Sequence, residues 1–493
     1  VPTLTIEKLD EVYIRVYSES NVEFELKDYF TYDYPGAKFT PQYRARLWDG
    51  KVYLYDVLRK TLYSGLLPYV YKFAESNGYE VVCKNIPQHE DTIAVDDITA
   101  YADTLAITSR GQALSVRDYQ VDAVHKALNH KRAVLVSPTG SGKSLIIYIV
   151  SRWLLDQGKK VLVVVPTTSL VEQMYGDFSD YSATSSWHVD DHCQKLYSGF
   201  PKRVDHDVLF TTWQSIVRQP RQWFDQFDAV IGDEAHLFKA KSLTTIMEKM
   251  PGVAYRIGTT GSLDDKKLNR LVLQGIFGAI HKVTTTKKLQ DIGQLAQLKI
   301  TALLLKHDPE MRKSVHKVSY ADEIDAIVRN PKRNKFIRNL ALQCTGNTLI
   351  LFQYVEKHGM LLEQLIAEKA GNRKVFFVYG GTEASDREKV RQVLSRETDA
   401  IVIASNGVFS TGINIPSIEN IIFASPSKSR IRNLQSIGRG LRLSEGKQYC
   451  MLYDLTDDLS FKSWKNHTLK HGAVRYKLYV EEQFPIKLVE VAL

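Results

Sequence analysis

Cysteine is scarce. The 493 residues contain four, Cys83, Cys193, Cys344 and Cys450, with no Cys-x-x-Cys pair and only His192 beside Cys193 as a neighbouring metal-ligand type. Such spacing excludes a disulfide framework, argues against a zinc site and suits a reducing compartment. Long apolar runs are missing too: nothing approaches the ~18–20 residues of a membrane-spanning helix, so no membrane partner is expected. Val1 to Glu11 lack the basic start and apolar block of a secretory signal. Export is not expected, and the cytoplasm is the expected compartment. Low-complexity tracts and sequence repeats are also absent. What remains is an ordinary globular composition, 44% hydrophobic and 25% charged, long enough for roughly three domains of about 150 residues. Acidic residues are outnumbered, 56 against 65 Lys and Arg, for a net charge of +9. That excess favours a polyanionic partner.

Alternating apolar positions such as Val12, Ile14 and Val16, broken by the turn formers Tyr34-Pro35-Gly36 and Trp48-Asp49-Gly50, predict a small α+β domain over residues 1–104. From Ala133 the pattern changes to short apolar runs, each followed by polar turn residues and a helical stretch: Ala133 to Val136, Val161 to Val165, Val208 to Phe210 and Ala229 to Ile231. Buried parallel strands with helical crossovers have this form. A second series comprises Thr348 to Phe352, Val375 to Val378, Ala400 to Ile403, Asn420 to Phe423 and Cys450 to Tyr453. The expected architecture is α/β, two tandem domains with parallel sheets at 105–295 and 296–460, followed by a helical, basic tail at 461–493.

Ser137-Pro-Thr-Gly-Ser-Gly-Lys-Ser144 follows a predicted strand and precedes the helical run Leu145 to Leu155, the setting a phosphate-binding loop requires. Thr139, Gly140, Ser141 and Gly142 would turn backbone N–H groups toward phosphates, Lys143 would reach the β and γ oxygens, and Ser144 would ligate Mg²⁺. Ser137 stands where the strict pattern has glycine. Asp233-Glu234-Ala235-His236 follows the next buried strand. An isolated Asp-Glu reads best as a helix cap, but its position after a phosphate loop points to Asp233 as the metal-holding acid and Glu234 as general base. Gln120, in Arg117-Asp118-Tyr119-Gln120, can pair with an adenine edge, which suggests ATP over GTP. Gly258 to Ser262 reads as a hydroxyl-bearing connector or a plain turn. Gln435-Ser-Ile-Gly-Arg-Gly-Leu-Arg442 offers Arg439 and Arg442, three apart, as forked cations for a γ-phosphate bound elsewhere in the chain.

The order of these segments resembles the superfamily 2 helicases over residues 112 to 455. The resemblance implies RecA-like domains, ATP and Mg²⁺ as cofactors, and DNA contacts from Pro166 and Thr167, Thr212 and Trp213, and Thr411. It also assigns Gly412 and Asn414 to the nucleotide side and Gln435 to the catalytic set, although Asn414 replaces the Asp of many members and Gly261 replaces Ala. Thr211 to Ser215, Phe39 to Gly50 and His471 to Arg475 narrow the resemblance to phage UvsW-type recombination helicases. This implies an ATP-dependent remodeller of branched DNA acting in recombination, repair and replication, as a monomer, with recombination or single-strand-binding proteins as partners. Arg44, Arg46 and Trp48, where cations and aromatics interleave, are the expected grip on DNA from the N-terminal domain. Lys462, Lys465, Lys470 and Arg475 form a second basic stretch that reads equally well as a solvated helix face. The alternative readings are an RNA helicase of the same superfamily and an ATP-gated DNA-binding scaffold.

Overall fold

The computed structural model describes residues 2–87, 92–199, 202–264, 266–394, 396–411, 417–425, 429–443 and 447–493. Gly412 and Asn414 lie outside the described residues, and of Thr411 only its place at the end of the helix Asn406–Thr411 is described. The chain divides into two compact units, Val1–Ser137 with Gly142–Val283, and Pro138–Ser141 with Thr284–Leu493.

The first unit contains a four-stranded N-terminal sheet in the order Thr61–Tyr63, Tyr13–Tyr17, Thr3–Lys8, Glu80–Lys84. Alternation in Tyr13–Tyr17 buries Ile14 and Val16 against the helices Ser20–Tyr29 and Leu67–Asn77. A separate antiparallel pair, Thr31–Asp33 with Lys51–Tyr53, holds the loop that carries Arg44, Arg46 and Trp48. Arg132 joins this domain to the larger sheet. Its guanidinium donates to the carbonyls of Glu11, Gly275 and Ile276, while the Tyr63 and Tyr69 hydroxyls donate to Glu248 and Gln274.

The larger sheet has seven parallel strands in the order Cys193–Leu196, Val208–Thr212, Val161–Val165, Ala229–Asp233, Tyr255–Thr260, Arg132–Val136, Ala279–Lys282. Val161–Val165 is buried at every position because helices cover both faces. The register sets Thr260 beside Val136 and Asp233 beside Thr259. The carboxyl ends of three adjacent strands therefore deliver the phosphate loop, the acidic pair and the hydroxyl segment to one edge, where open α/β sheets bind ligands.

The second unit repeats the plan with seven parallel strands: Val375–Val378, Ile401–Ser405, Thr348–Phe352, Asn420–Phe423, Tyr449–Asp458, Gln297–Lys306 and Ile486–Ala492. The tail is helical over His467–Glu481, as the sequence predicts. Beyond it the chain adds Ile486–Ala492 as an edge strand beside Gln297–Lys306, which the sequence reading does not contain. The helix is not a solvated basic face throughout. Arg475 is fully buried and forks onto the Asp454 carboxylate, with Nε at 2.8 Å from Oδ2 and Nη2 at 2.8 Å from Oδ1. Gly472 lets this helix approach the sheet: a Cβ there would lie 2.5 Å from Thr456 Cγ2.

Candidate nucleotide site and nucleic-acid contacts

Gly140 and Gly142 adopt φ of +84° and +82°, left-handed conformations that L side chains resist. Gly142 caps the helix Lys143–Leu155, so the loop ends on a helix N-terminus whose unpaired N–H groups suit an anion. Lys143 Nζ donates to the Ser137 carbonyl at 3.1 Å, and Ser141 Oγ donates to Pro138 O at 2.7 Å. Ser144 Oγ pairs with the Tyr181 hydroxyl at 2.8 Å. Burial pushes that tyrosine up to about 12, which keeps it a neutral hydrogen-bonding partner.

Gln120 is buried beneath the loop, where its Nε2 would meet a Cβ on Gly142 at 2.4 Å. Its Oε1 accepts from Arg117 N–H at 3.0 Å, capping the helix Asp118–His130. Gln120 thus fixes the helix start and closes the loop from below. Arg117 donates to the Tyr119 hydroxyl at 3.1 Å.

Glu234 is held at φ +52°, the left-handed region, which a non-glycine residue enters at a cost of about 1 kcal/mol or more. The bend separates the two acids. Asp233 is buried and accepts from Thr259 Oγ1 at 2.7 Å. His236 Nδ1 stands 3.0 Å from Thr260 Oγ1 and 3.2 Å from Glu234 Oε2. Because Thr260 Oγ1 spends its proton on the Ser262 carbonyl at 2.9 Å, His236 must donate to it through Nδ1–H. Burial, then the charge of Glu234, pushes the Asp233 carboxyl up; Lys143 and the Thr259 hydrogen bond offset only part of this. The buried Asp233 and half-buried Glu234 carboxylates, with the Ser144 hydroxyl in the first turn of the helix Lys143–Leu155, offer oxygen donors with surplus negative charge. That suits a hard dication that takes its remaining ligands from phosphate and water. A cluster of three or more His, Cys, Asp or Glu is lacking among the described residues.

In the second unit, Gln435 and Arg439 are half-buried on the helix Arg430–Gly440. Arg442 lies past the last helical residue, not on the helix itself, but its N–H still reaches Arg439 O at 3.4 Å, so the spacing survives as a turn. Thr167 caps the helix Thr168–Tyr181, accepting from Leu170 N–H at 3.3 Å, with Pro166 half-buried before it. Thr212 is buried, its hydroxyl paired with Ser215 at 3.0 Å, and Trp213 begins a short helix. Arg44 and Arg46 are exposed and the Trp48 indole donates to Lys51 O at 2.9 Å, leaving an open basic surface.

Family models match this layout: "DNA helicase UvsW, N-terminal" over residues 4–84, "Type III restriction enzyme, res subunit" over 113–264 and "Helicase conserved C-terminal domain" over 331–444. The ATP-dependent DNA helicase uvsW of Enterobacteria phage T4 is 33% identical over 96% of this chain and 97% of its own length. The chain belongs to the UvsW helicase family. The crystal structure of T4 UvsW aligns over 99% of both chains at 31% identity with a TM-score of 0.53. A fragment of a putative HsdR subunit of a type I restriction enzyme from Vibrio vulnificus aligns over 76% of this chain and 68% of that one, with a TM-score of 0.58 and 19% identity, and shares the fold. UvsW membership accounts for the joint presence of the N-terminal sheet and two RecA-like units in one chain.

Sequence reasoning missed two features of the site. The His236–Thr260 hydrogen bond joins residues 24 apart, and only the His in the Asp-Glu-Ala-His string hints at it. The strain at Glu234 has no sequence signal, because glutamate does not advertise a left-handed backbone.

Proposed function

We propose that this protein is an ATP-driven DNA helicase that remodels branched DNA, reversing forks and migrating Holliday junctions in phage recombination, repair and replication. One observation carries the reading: the phosphate loop, the Asp233–Glu234 pair and the Thr259–Ser262 segment leave neighbouring strands at one sheet edge, in a chain whose relative across its full length is named an ATP-dependent DNA helicase. The loop N–H groups and Lys143 bind the β- and γ-phosphates, and Gln120 braces the loop from beneath Gly142. Asp233 and Ser144 would hold Mg²⁺, which supplies charge neutralisation on the phosphates. Glu234 accepts a proton from the attacking water as its oxygen bonds to the γ-phosphorus. The bond to the β–γ bridging oxygen breaks, and ADP and phosphate leave. Arg439 and Arg442 complete the site when the second unit closes on ATP, with Gln435 supporting them, and reopening after hydrolysis shifts the grip on DNA. Thr167, Thr212 and Thr411 grip the backbone without reading sequence, while Arg44, Arg46 and Trp48 engage the junction.

The test compares ATP hydrolysis and strand remodelling on model forks, Holliday junctions, linear duplex, single-stranded DNA and RNA. Stimulation greatest with forks and junctions is the expected result. Stimulation by RNA above every DNA would overturn the substrate assignment.

A further inference from the structure

A cleft of about 640 Å³ opens between the Thr31–Asp33/Lys51–Tyr53 hairpin and the helix Lys241–Glu248, all within the first unit. The volume falls in the range of sites that enclose a ligand of a few dozen atoms. One wall is aromatic. Tyr34 and Tyr53 line it and are 45% and 44% exposed, with Lys27 Nζ 4.9 Å from the Tyr53 ring centre, and Tyr34 meets Trp48 edge-on at 5.4 Å, which extends the aromatic surface toward Arg44 and Arg46. The opposite wall is cationic. Lys241 is exposed and makes no ion pair among the described residues, while Arg59, exposed at the rim, stands 3.9 Å from the Asp56 carboxylate. The acid in the lining, Asp56, is committed to its own turn, accepting from Leu58 and Arg59 N–H at 3.0 Å. Exposed tyrosines across from Lys241 fit the bases and phosphates of an unpaired strand, whereas a duplex presents no base faces to stack upon.

The cationic wall also leads to the acidic pair. Lys239 lies three residues beyond His236 and its Nζ is bound to Asp264 Oδ2 at 2.8 Å, two residues past Ser262. Lys239 thus clamps together the two segments joined by the His236–Thr260 hydrogen bond. The helix Lys241–Glu248 packs in turn on Trp213–Ile216, the helix that follows Thr212.

We infer that this cleft holds one unpaired strand of the branched substrate and that its occupancy is passed to Glu234 through Lys239 and His236. The inference rests on the helicase reading above and adds a strand-sensing site to it. The site links engagement of the N-terminal domain to Glu234 within the first unit.

The test uses the full chain and fork DNA carrying 5-iododeoxyuridine in its single-stranded arm. Photocrosslinks to Tyr34 or Tyr53 are expected from that arm. In Y53A and K241E, Kd for the fork should rise about tenfold, the loss of one stacked base or one phosphate contact, with Kd for blunt duplex unchanged. In K239A, fork Kd should stay within twofold while the ratio of fork-stimulated to DNA-free hydrolysis falls about tenfold. If the wild-type protein shows no stimulation by any DNA, the helicase reading itself fails. If wild type is stimulated while Y53A and K241E bind forks as wild type does, or crosslinks come only from duplex arms, the cleft inference alone is overturned. Full stimulation in K239A overturns the coupling.

Discussion

Asp233 and Asp457 both lie near the carboxyl ends of central strands in seven-stranded parallel sheets, one in each unit, and both are buried. Their protonation is biased in opposite directions. Burial and the charge of Glu234 push Asp233 up. Burial works to raise Asp457 as well, but Arg333 and His307 outweigh it and hold that carboxyl well below the usual range. Arg333 Nε lies 2.8 Å and His307 Nε2 2.9 Å from Asp457 Oδ1. The second unit has supplied its buried acid with the Arg333 guanidinium and a hydrogen bond to His307, so the acid braces the fold. In the first unit the acids exceed their cations, and that imbalance prepares the site for a ligand bearing positive charge. A fully compensated buried ion pair and an uncompensated one differ little in composition, but the first is architecture and the second is chemistry.

The largest effect that would break the comparison is on rate. Asp233→Asn should reduce ATP turnover on the order of a thousandfold, while its melting midpoint stays at or slightly above that of wild type, because removing one of two adjacent carboxylates relieves repulsion. Steady-state hydrolysis beside thermal unfolding reads both, and a variant that lost stability but kept turnover would reverse the assignment. Asp457→Asn should do the opposite to stability. With Arg333 and His307 deprived of their acid, the second unit loses about 3–5 kcal/mol, the cost of breaking a buried ion pair, seen as an earlier unfolding transition. Gly472→Ala comes next, at about 1–3 kcal/mol, since its Cβ would press on Thr456.

The smallest effect is pH dependence. Burial, then Arg333, pushes His358 down to about 3 from its ordinary 6.5. The unfolded chain therefore takes up a proton near pH 6.5 that the folded chain refuses until about 3. Stability from this group is complete above 6.5 and is lost at about 1.4 kcal/mol per pH unit as pH falls below it. Melting curves between pH 7.5 and 5 should show this slope in wild type and a flatter one in H358Q; identical slopes would contradict the burial argument.

The candidate nucleotide site could be proposed from the sequence because each of its parts is local: a short apolar run ends, glycines or acids follow, and a helix begins. Ser137–Ser144 and Asp233–Glu234 need no distant partner to be recognised, and the structure sets them on strands that flank Tyr255–Thr260. What stayed hidden depends on long-range pairing. Arg475 reads as one more cation in a basic tail until Asp454, 21 residues upstream, is found against it. The edge strand Ile486–Ala492 is mostly exposed, so it lacks the continuous apolar run that marks an interior strand. The segment Val355–Gly359 winds as a single π-helical turn that presents His358 to Asn334 and Ser425, and such insertions leave no periodic signal.

Glu234→Gln tests the central claim most directly, in one preparation assayed for ATP binding and for fork-stimulated hydrolysis. The account predicts ATP affinity within about threefold of wild type, because the loop and Lys143 are untouched, and turnover reduced on the order of a thousandfold, because water loses its proton acceptor. Turnover within tenfold of wild type would contradict it.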